Sequence, residues 1–167
     1  RVLLRSGLFD VVGEPTLGPQ APTGEADLSV QVLERKANRV EGAVGFVPGA
    51  DGGRGYLAGR LDLGLRNLAG TGRGVWLQWE HKGPSASDVA LRYDEPWVGP
   101  TPLAGRLRLH LNQRPGYTVA EVGSGVDYDV ADGVSTRIEG TWTRVSPDSS
   151  GLRFAPASRS WRVRFGL

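Results

Sequence analysis

The chain has 167 residues, with 20 Lys and Arg against 18 Asp and Glu, two His, and neither Cys nor Met. Without cysteine there is no disulfide framework, thiol chemistry or Cys-based metal site. The basic residues are nearly all Arg and scattered, so the basic stripe with interleaved aromatics that nucleic-acid binding needs is absent. No apolar run reaches the ~18 residues of a membrane-spanning helix, which leaves a spanning β-barrel open. The first residue is Arg, and the chain reads as a mature or partial one.

Arg1 to Val12 carries Leu3, Leu4, Leu8 and Val11 at roughly helical spacing, which predicts the end of a helix. Pro and Gly between Gly13 and Gly24 predict turns around a short strand near Thr16. Ala26 to Glu34 then alternates, with Leu28, Val30 and Val32 on one face of a strand. Residues 1–37 are thus expected to be a small α/β piece, too short to hold a core alone.

From Asn38 the period is two. Val40, Val44 and Phe46 stand opposite Arg39 and Glu41, and a Gly-rich loop follows at Pro48 to Arg54. Leu57, Leu61, Leu63 and Leu65 oppose Arg60 and Asp62, and a turn at Ala69 to Gly74 leads to Val75, Leu77 and Trp79 against Gln78, Glu80 and Lys82. Further strands are predicted at Asp88 to Asp94, Leu103 to Asn112, Tyr117 to Val130, Val134 to Thr143 and Ser160 to Leu167. Residues 38–167 therefore predict about eight antiparallel strands, with shorter turns on one side and longer, more variable loops on the other.

Ten strand residues span about 33 Å, or about 25 Å at a barrel strand's tilt, the height of a bilayer's apolar band. One face is apolar. The other carries Arg60, Asp62, Glu80, Arg92, Asp94, Arg106, Arg108, Glu121, Asp127, Asp129, Arg137, Glu139, Arg162 and Arg164, expected to face a barrel lumen as ion pairs. Trp79, Tyr93, Trp97, Tyr117 and Trp142 are expected near strand ends as interfacial girdles. A soluble lipocalin-like barrel would turn the apolar face inward, but Gly59, Gly105 and Gly140 on that face would leave voids, so the membrane reading is preferred.

No catalytic constellation emerges. His110 falls on the charged face, where an ion-paired or solvated histidine is the plain account, and His81 lies on a different strand. The run Gly49 to Gly55 lacks the Lys-Ser/Thr ending of a phosphate loop, and the surroundings of Asp127 and Asp129 do not continue a calcium loop. The expectation is no enzyme activity, no cofactor and no metal.

The run from Asn38 to His81, followed by ALRYDEPWV, resembles the start of the barrel in the BamA/TamA superfamily of outer-membrane assembly factors. The resemblance rests on the first strand after Asn38, the R-N-L-x-G-T-G-R turn at Arg66 to Arg73 and the Y-x-E-P-W motif at Tyr93 to Trp97. SGLFDVV and ADLSVQVLERK resemble the closing helix and last strand of a POTRA domain, the periplasmic module that feeds such barrels. The resemblance implies an all-β, antiparallel transmembrane barrel in the bacterial outer membrane, with residues 1–37 in the periplasm. The barrel would contact outer-membrane lipids, unfolded outer-membrane or secreted protein substrates and periplasmic accessory proteins or lipoproteins. It also implies that the first strand, Arg39, Val40, Glu41, Gly42, Ala43, Val44, Gly45, Phe46 and Val47, is a pairing edge for substrate strands. The family's barrel has sixteen strands, and its VRGF-type motif has no counterpart, since Val163 to Gly166 reads VRFG. The remaining strands are expected outside this sequence; the alternatives are eight strands that close on themselves or assemble with another copy. The rival functions are a passive outer-membrane anchor or narrow pore and a soluble ligand-binding barrel.

Overall fold

The computed structural model describes residues 9–20, 24–35, 38–49, 53–131, 134–153 and 156–166, in two compact units, Arg1–Ala37 and Asn38–Leu167. In the first unit β1 (Phe9–Val12) pairs with β4 (Val32–Glu34), and β2 (Thr16–Leu17) with β3 (Leu28–Ser29), all antiparallel. The expected helix fails over Phe9–Val12, which is strand: the Phe-Asp-Val-Val run is β-branched and aromatic, a preference that outweighs the helical spacing. Arg1 to Leu8 lie outside the described residues. The single strand expected over Ala26 to Glu34 is two short ones, β3 and β4, interrupted at Val30 and Gln31.

The second unit is one antiparallel sheet of eight strands in sequence order, from β5 (Arg39–Val47) through β6 (Tyr56–Leu65), β7 (Gly74–Gly83), β8 (Ala86–Glu95), β9 (Leu103–Arg114), β10 (Tyr117–Ala131) and β11 (Val134–Pro147) to β12 (Ser158–Gly166). β9, β10 and β11 outrun their expected limits, because their alternation continues through polar residues that ladder hydrogen bonds hold extended. Each strand meets its neighbours in sequence, and the described residues of β5 and β12 pair on one side only.

Register sorts the side chains into rows across the sheet. Val40, Leu63, Leu77, Leu91, Leu109, Val122, Trp142 and Trp161 lie directly opposite one another in succession, an uninterrupted apolar row. On the other face and one residue along, the row is Arg39, Gly64, Trp76, Arg92, Arg108, Gly123, Thr141 and Arg162. Two residues further it is Glu41, Asp62, Gln78, Ala90, His110, Glu121, Thr143 and Ser160. A basic and an acidic row thus run side by side.

The faces differ in exposure against the usual order. Leu107, Leu109 and Leu111 of β9 are 53%, 47% and 45% exposed, whereas the side chains of Arg106, Arg108 and His110 on the other face are 27%, 43% and 39% exposed. Among the described residues no hydrophobic side chain is buried as a core. The sheet therefore curls with its charged face inward and turns its leucines outward, the reverse of a water-soluble sandwich or barrel.

Gly59 shows why one apolar-face glycine is needed. Its φ is +155°, and a Cβ there would meet the backbone of the facing strand, with the Val44 Cα at 2.7 Å. The glycine lets β5 lie close against β6.

Candidate functional site

Two features stand out in the second unit, the free edge at β5 and the inner charged face. The edge strand holds all nine residues from Arg39 to Val47, every one exposed. Val40, Val44 and Phe46 are 68%, 56% and 67% exposed on its outer side. Its two charges satisfy each other, Arg39 Nη2 donating to Glu41 Oε2 at 2.5 Å. The strand contains no proline, so each residue retains a backbone donor and acceptor, and half of these point away from β6. At its start the Asn38 side-chain oxygen accepts a hydrogen bond from the Arg66 backbone N–H at 3.3 Å, tying the entry of β5 to the turn after β6.

That turn is built by its sequence. Asn67 and Ala69 both have φ +51°, and Gly70 and Gly72 also take positive φ. The Asn67 side-chain oxygen accepts from the Gly72 N–H at 2.9 Å, and the Thr71 hydroxyl donates to the Leu68 carbonyl at 2.6 Å. Arg73 at its end donates to Glu95 at 2.8 Å, and Tyr93 donates its hydroxyl proton to the same carboxylate at 2.6 Å. The R-N-L-x-G-T-G-R and Y-x-E-P-W segments are therefore one linked structure at one rim.

On the inner face the register brings together Arg60, Asp62, Glu80, Arg92, Asp94, Arg106, Arg108, Glu121, Asp127, Asp129, Arg137, Glu139, Arg162 and Arg164. Arg60 pairs with Asp62, Lys82 with Glu80 and Arg92 with Asp94, each two residues apart on its own strand. Further along the pairs cross strands: Arg106 with Asp94 and Asp127, Arg108 with Glu139, and Arg137 with Asp127. Among the described residues Asp129, Arg162 and Arg164 join no ion pair. His110 sits between Asp88 at 3.0 Å and Glu121 at 3.8 Å, and Asn112 donates to the same Asp88 oxygen.

Trp76 escaped the sequence reading. It lies on the charged face with the Arg92 guanidinium 4.0 Å from its ring centre and Arg66 at 5.8 Å, and its even number, shared with Gln78 and Glu80, was the available signal. Of the expected girdle residues, Trp142 instead lies well within β11, its ring 6.3 Å from that of Trp161. It belongs to the central apolar row, since strand β11 runs further than the alternation indicated. Trp79 and Tyr56 flank His81, with ring centres about 6 Å from that of the histidine. No group of three or more metal-ligating side chains occurs among the described residues.

Asp148 begins the loop after β11. Its carboxylate accepts from the Ser150 hydroxyl at 2.6 Å and from the Ser150 and Gly151 N–H groups at 2.8 Å, which hold it below the ordinary Asp range.

Solved structures match this arrangement, among them the crystal structure of BamA from Haemophilus ducreyi lacking POTRA domains 1-3, with a TM-score of 0.52 and 15% sequence identity. The second unit has the fold of a BamA-type barrel sheet. The match covers 98% of this chain and 35% of that one. No protein-family model and no curated protein matches the sequence.

Proposed function

We propose that this chain is part of an outer-membrane barrel that assembles, inserts or translocates other outer-membrane or secreted proteins, with β5 as the edge on which an incoming strand pairs. The apolar row faces lipid and the charged rows face the lumen. Residues 1–37 are the POTRA-like periplasmic portion, from which periplasmic accessory proteins or lipoproteins would be engaged. The observation that carries the reading is the unpaired, proline-free β5 at the margin of a sheet with the BamA-type barrel fold. An unpaired strand edge is a template for β-augmentation, and its main-chain hydrogen bonds are indifferent to the incoming sequence. The mutual Arg39–Glu41 pair supports this tolerance, because it leaves no net charge on the edge for a substrate to match.

Proline at Val40 and Val44 in the full-length protein tests the assignment. Each removes a backbone donor. Substrate insertion should fall while the protein itself remains in the membrane; undiminished insertion with both prolines present would remove the strand-templating role. In that event a passive anchor or narrow pore becomes the better account, with the ion pairs of the inner face lining its lumen.

A further inference from the structure

Arg144 of β11 and Arg159 of β12 differ from the arginines of the inner face, because register puts them on the apolar side of the sheet. They stand directly opposite each other, two residues further along than the Trp142–Trp161 rung. Both are exposed. The surroundings of Arg144 are complete, since β10 and β12 flank it. On that face it meets Ala120, Thr118 and Val122 of β10, Trp142 and Ser146 of its own strand, and Arg159 and Trp161 of β12, so no carboxylate faces it. Arginines of the inner face such as Arg106, Arg108 and Arg137 each have an acid, whereas this outer rung sets two guanidiniums against each other. Like charges directly across a ladder destabilise a sheet. Depth adds a second constraint. The 14 residues of β11 run about 46 Å, or about 35 Å at a barrel strand's tilt, which exceeds the ~25 Å apolar band of a bilayer. Arg144 lies three residues before the loop end of β11 and Arg159 is the second residue of β12, within about 10 Å of that end and so at the edge of the band.

We propose that Arg144 and Arg159 form a binding site for a phosphate-bearing lipid headgroup, whose phosphate accepts hydrogen bonds from both guanidiniums while its acyl chains lie along Trp142 and Trp161. The site rests on the assignment of the apolar face to lipid. Phosphate oxygens match the planar fork of guanidinium donors, and one anion between two cations turns a repulsive rung into an attractive one. Indole rings beside it suit the same level of the bilayer, because tryptophan favours the boundary between headgroups and acyl chains. A bound headgroup would also join β11 to β12 on the outer side, where no ion pair among the described residues does so.

The test places the full-length protein in phosphatidylcholine vesicles that contain phosphatidic acid with brominated acyl chains, whose quenching of tryptophan fluorescence reports how strongly that lipid is held. The unaltered protein should favour phosphatidic acid over phosphatidylcholine. Arg144→Gln and Arg159→Gln should each lower the preference about 5-fold and the double substitution R144Q/R159Q about 30-fold. If the double variant fails to insert, the two single variants carry the test. Inorganic phosphate, compared with chloride at equal ionic strength, should leave the quenching unchanged; displacement of the lipid by it would make a free anion the ligand and overturn the lipid site. An inserted protein with no preference, or a preference that survives either single substitution, would overturn the site while leaving the lipid-facing assignment intact. Failure of the unaltered protein to insert would overturn that assignment and the site with it.

Discussion

Leu109→Arg is the sharpest perturbation of the membrane reading. Leu109 is the seventh of the twelve residues of β9, with Leu91 and Val122 directly opposite on the two neighbouring strands, and it is 47% exposed on the outer face. That position puts it close to the centre of a strand long enough to span, where an outward arginine costs roughly 2 to 4 kcal/mol, against about 0 to 1 kcal/mol near an interface. Leu103 lies on the same face at the strand's start, six residues away, about 20 Å along the strand. Leu103→Arg is therefore the matched control. At ~1.4 kcal/mol per factor of ten, Leu109→Arg should lower the folded-to-unfolded ratio in vesicles by about 30- to 700-fold and Leu103→Arg by no more than about 5-fold. Urea titration of the vesicle-inserted protein, followed by tryptophan fluorescence, gives both values. In a water-facing protein the same exposed leucine would tolerate arginine within about 0.5 kcal/mol. Equal, small effects at both positions, together with a folded chain in lipid-free buffer, would refute the assignment of the leucine face to lipid.

Three further outcomes are expected. Ala69→Gly should raise stability by about 0.5 to 1 kcal/mol in the same titration, because Ala69 sits at φ +51°, where an L-side chain is disfavoured and glycine is not. Asp127→Ala frees Arg137 and leaves Arg106 with Asp94 alone, and should cost about 1 kcal/mol, a figure kept low because the arginine side chains are 53% and 27% exposed to solvent. Asp148 is held below its ordinary pKa by the donors of Ser150 and Gly151, so its contribution to the loop is complete above the unfolded value and is lost as pH falls through the lower, folded one. Protease cleavage between residues 148 and 157 should accordingly rise on strong acidification and stay unchanged from neutral pH down to the ordinary carboxylate range, and Asp148→Asn should remove that dependence.

Much of the second unit was legible because a barrel strand writes itself in a period of two, and eight such runs with turn residues between them leave little freedom. The odd-numbered leucines of Leu57 to Leu65 and Leu103 to Leu111 could be placed on one shared face by parity alone. The alternation could not say which face curls inward; the lower exposure of Arg106 relative to Leu107 and Leu109 decides that. The first unit was less legible, since Leu3, Leu4, Leu8 and Val11 fit a helix by spacing while the tertiary pairing of Phe9–Val12 with Val32–Glu34 makes part of that stretch a strand. Of the charged residues, the sequence supplied the shared face but not the partners. That Arg60 pairs along its own strand while Arg108 reaches across β10 to Glu139 depends on register, which single-strand periodicity does not contain. The link from Arg73 to Tyr93 through Glu95 was hidden for the same reason: two motifs read separately meet only when β7 and β8 pair.

The placement of counter-charges makes the sheet mechanically uneven. In β5, β6 and β7 each arginine or lysine finds its acid two residues away on the same strand, so drawing one of these strands from its neighbour breaks ladder hydrogen bonds and strands no charge. Between β9 and β11 the pairs of Arg108 with Glu139 and of Arg137 with Asp127 cross strands, and parting the sheet there leaves Arg108 or Arg137 facing its neighbour without a counter-ion, while Arg106 has an acid on each side. The electrostatics thus form a hinge line. In a sheet wired this way, parting strands on the β5 side separates no ion pair, whereas parting them through the middle does.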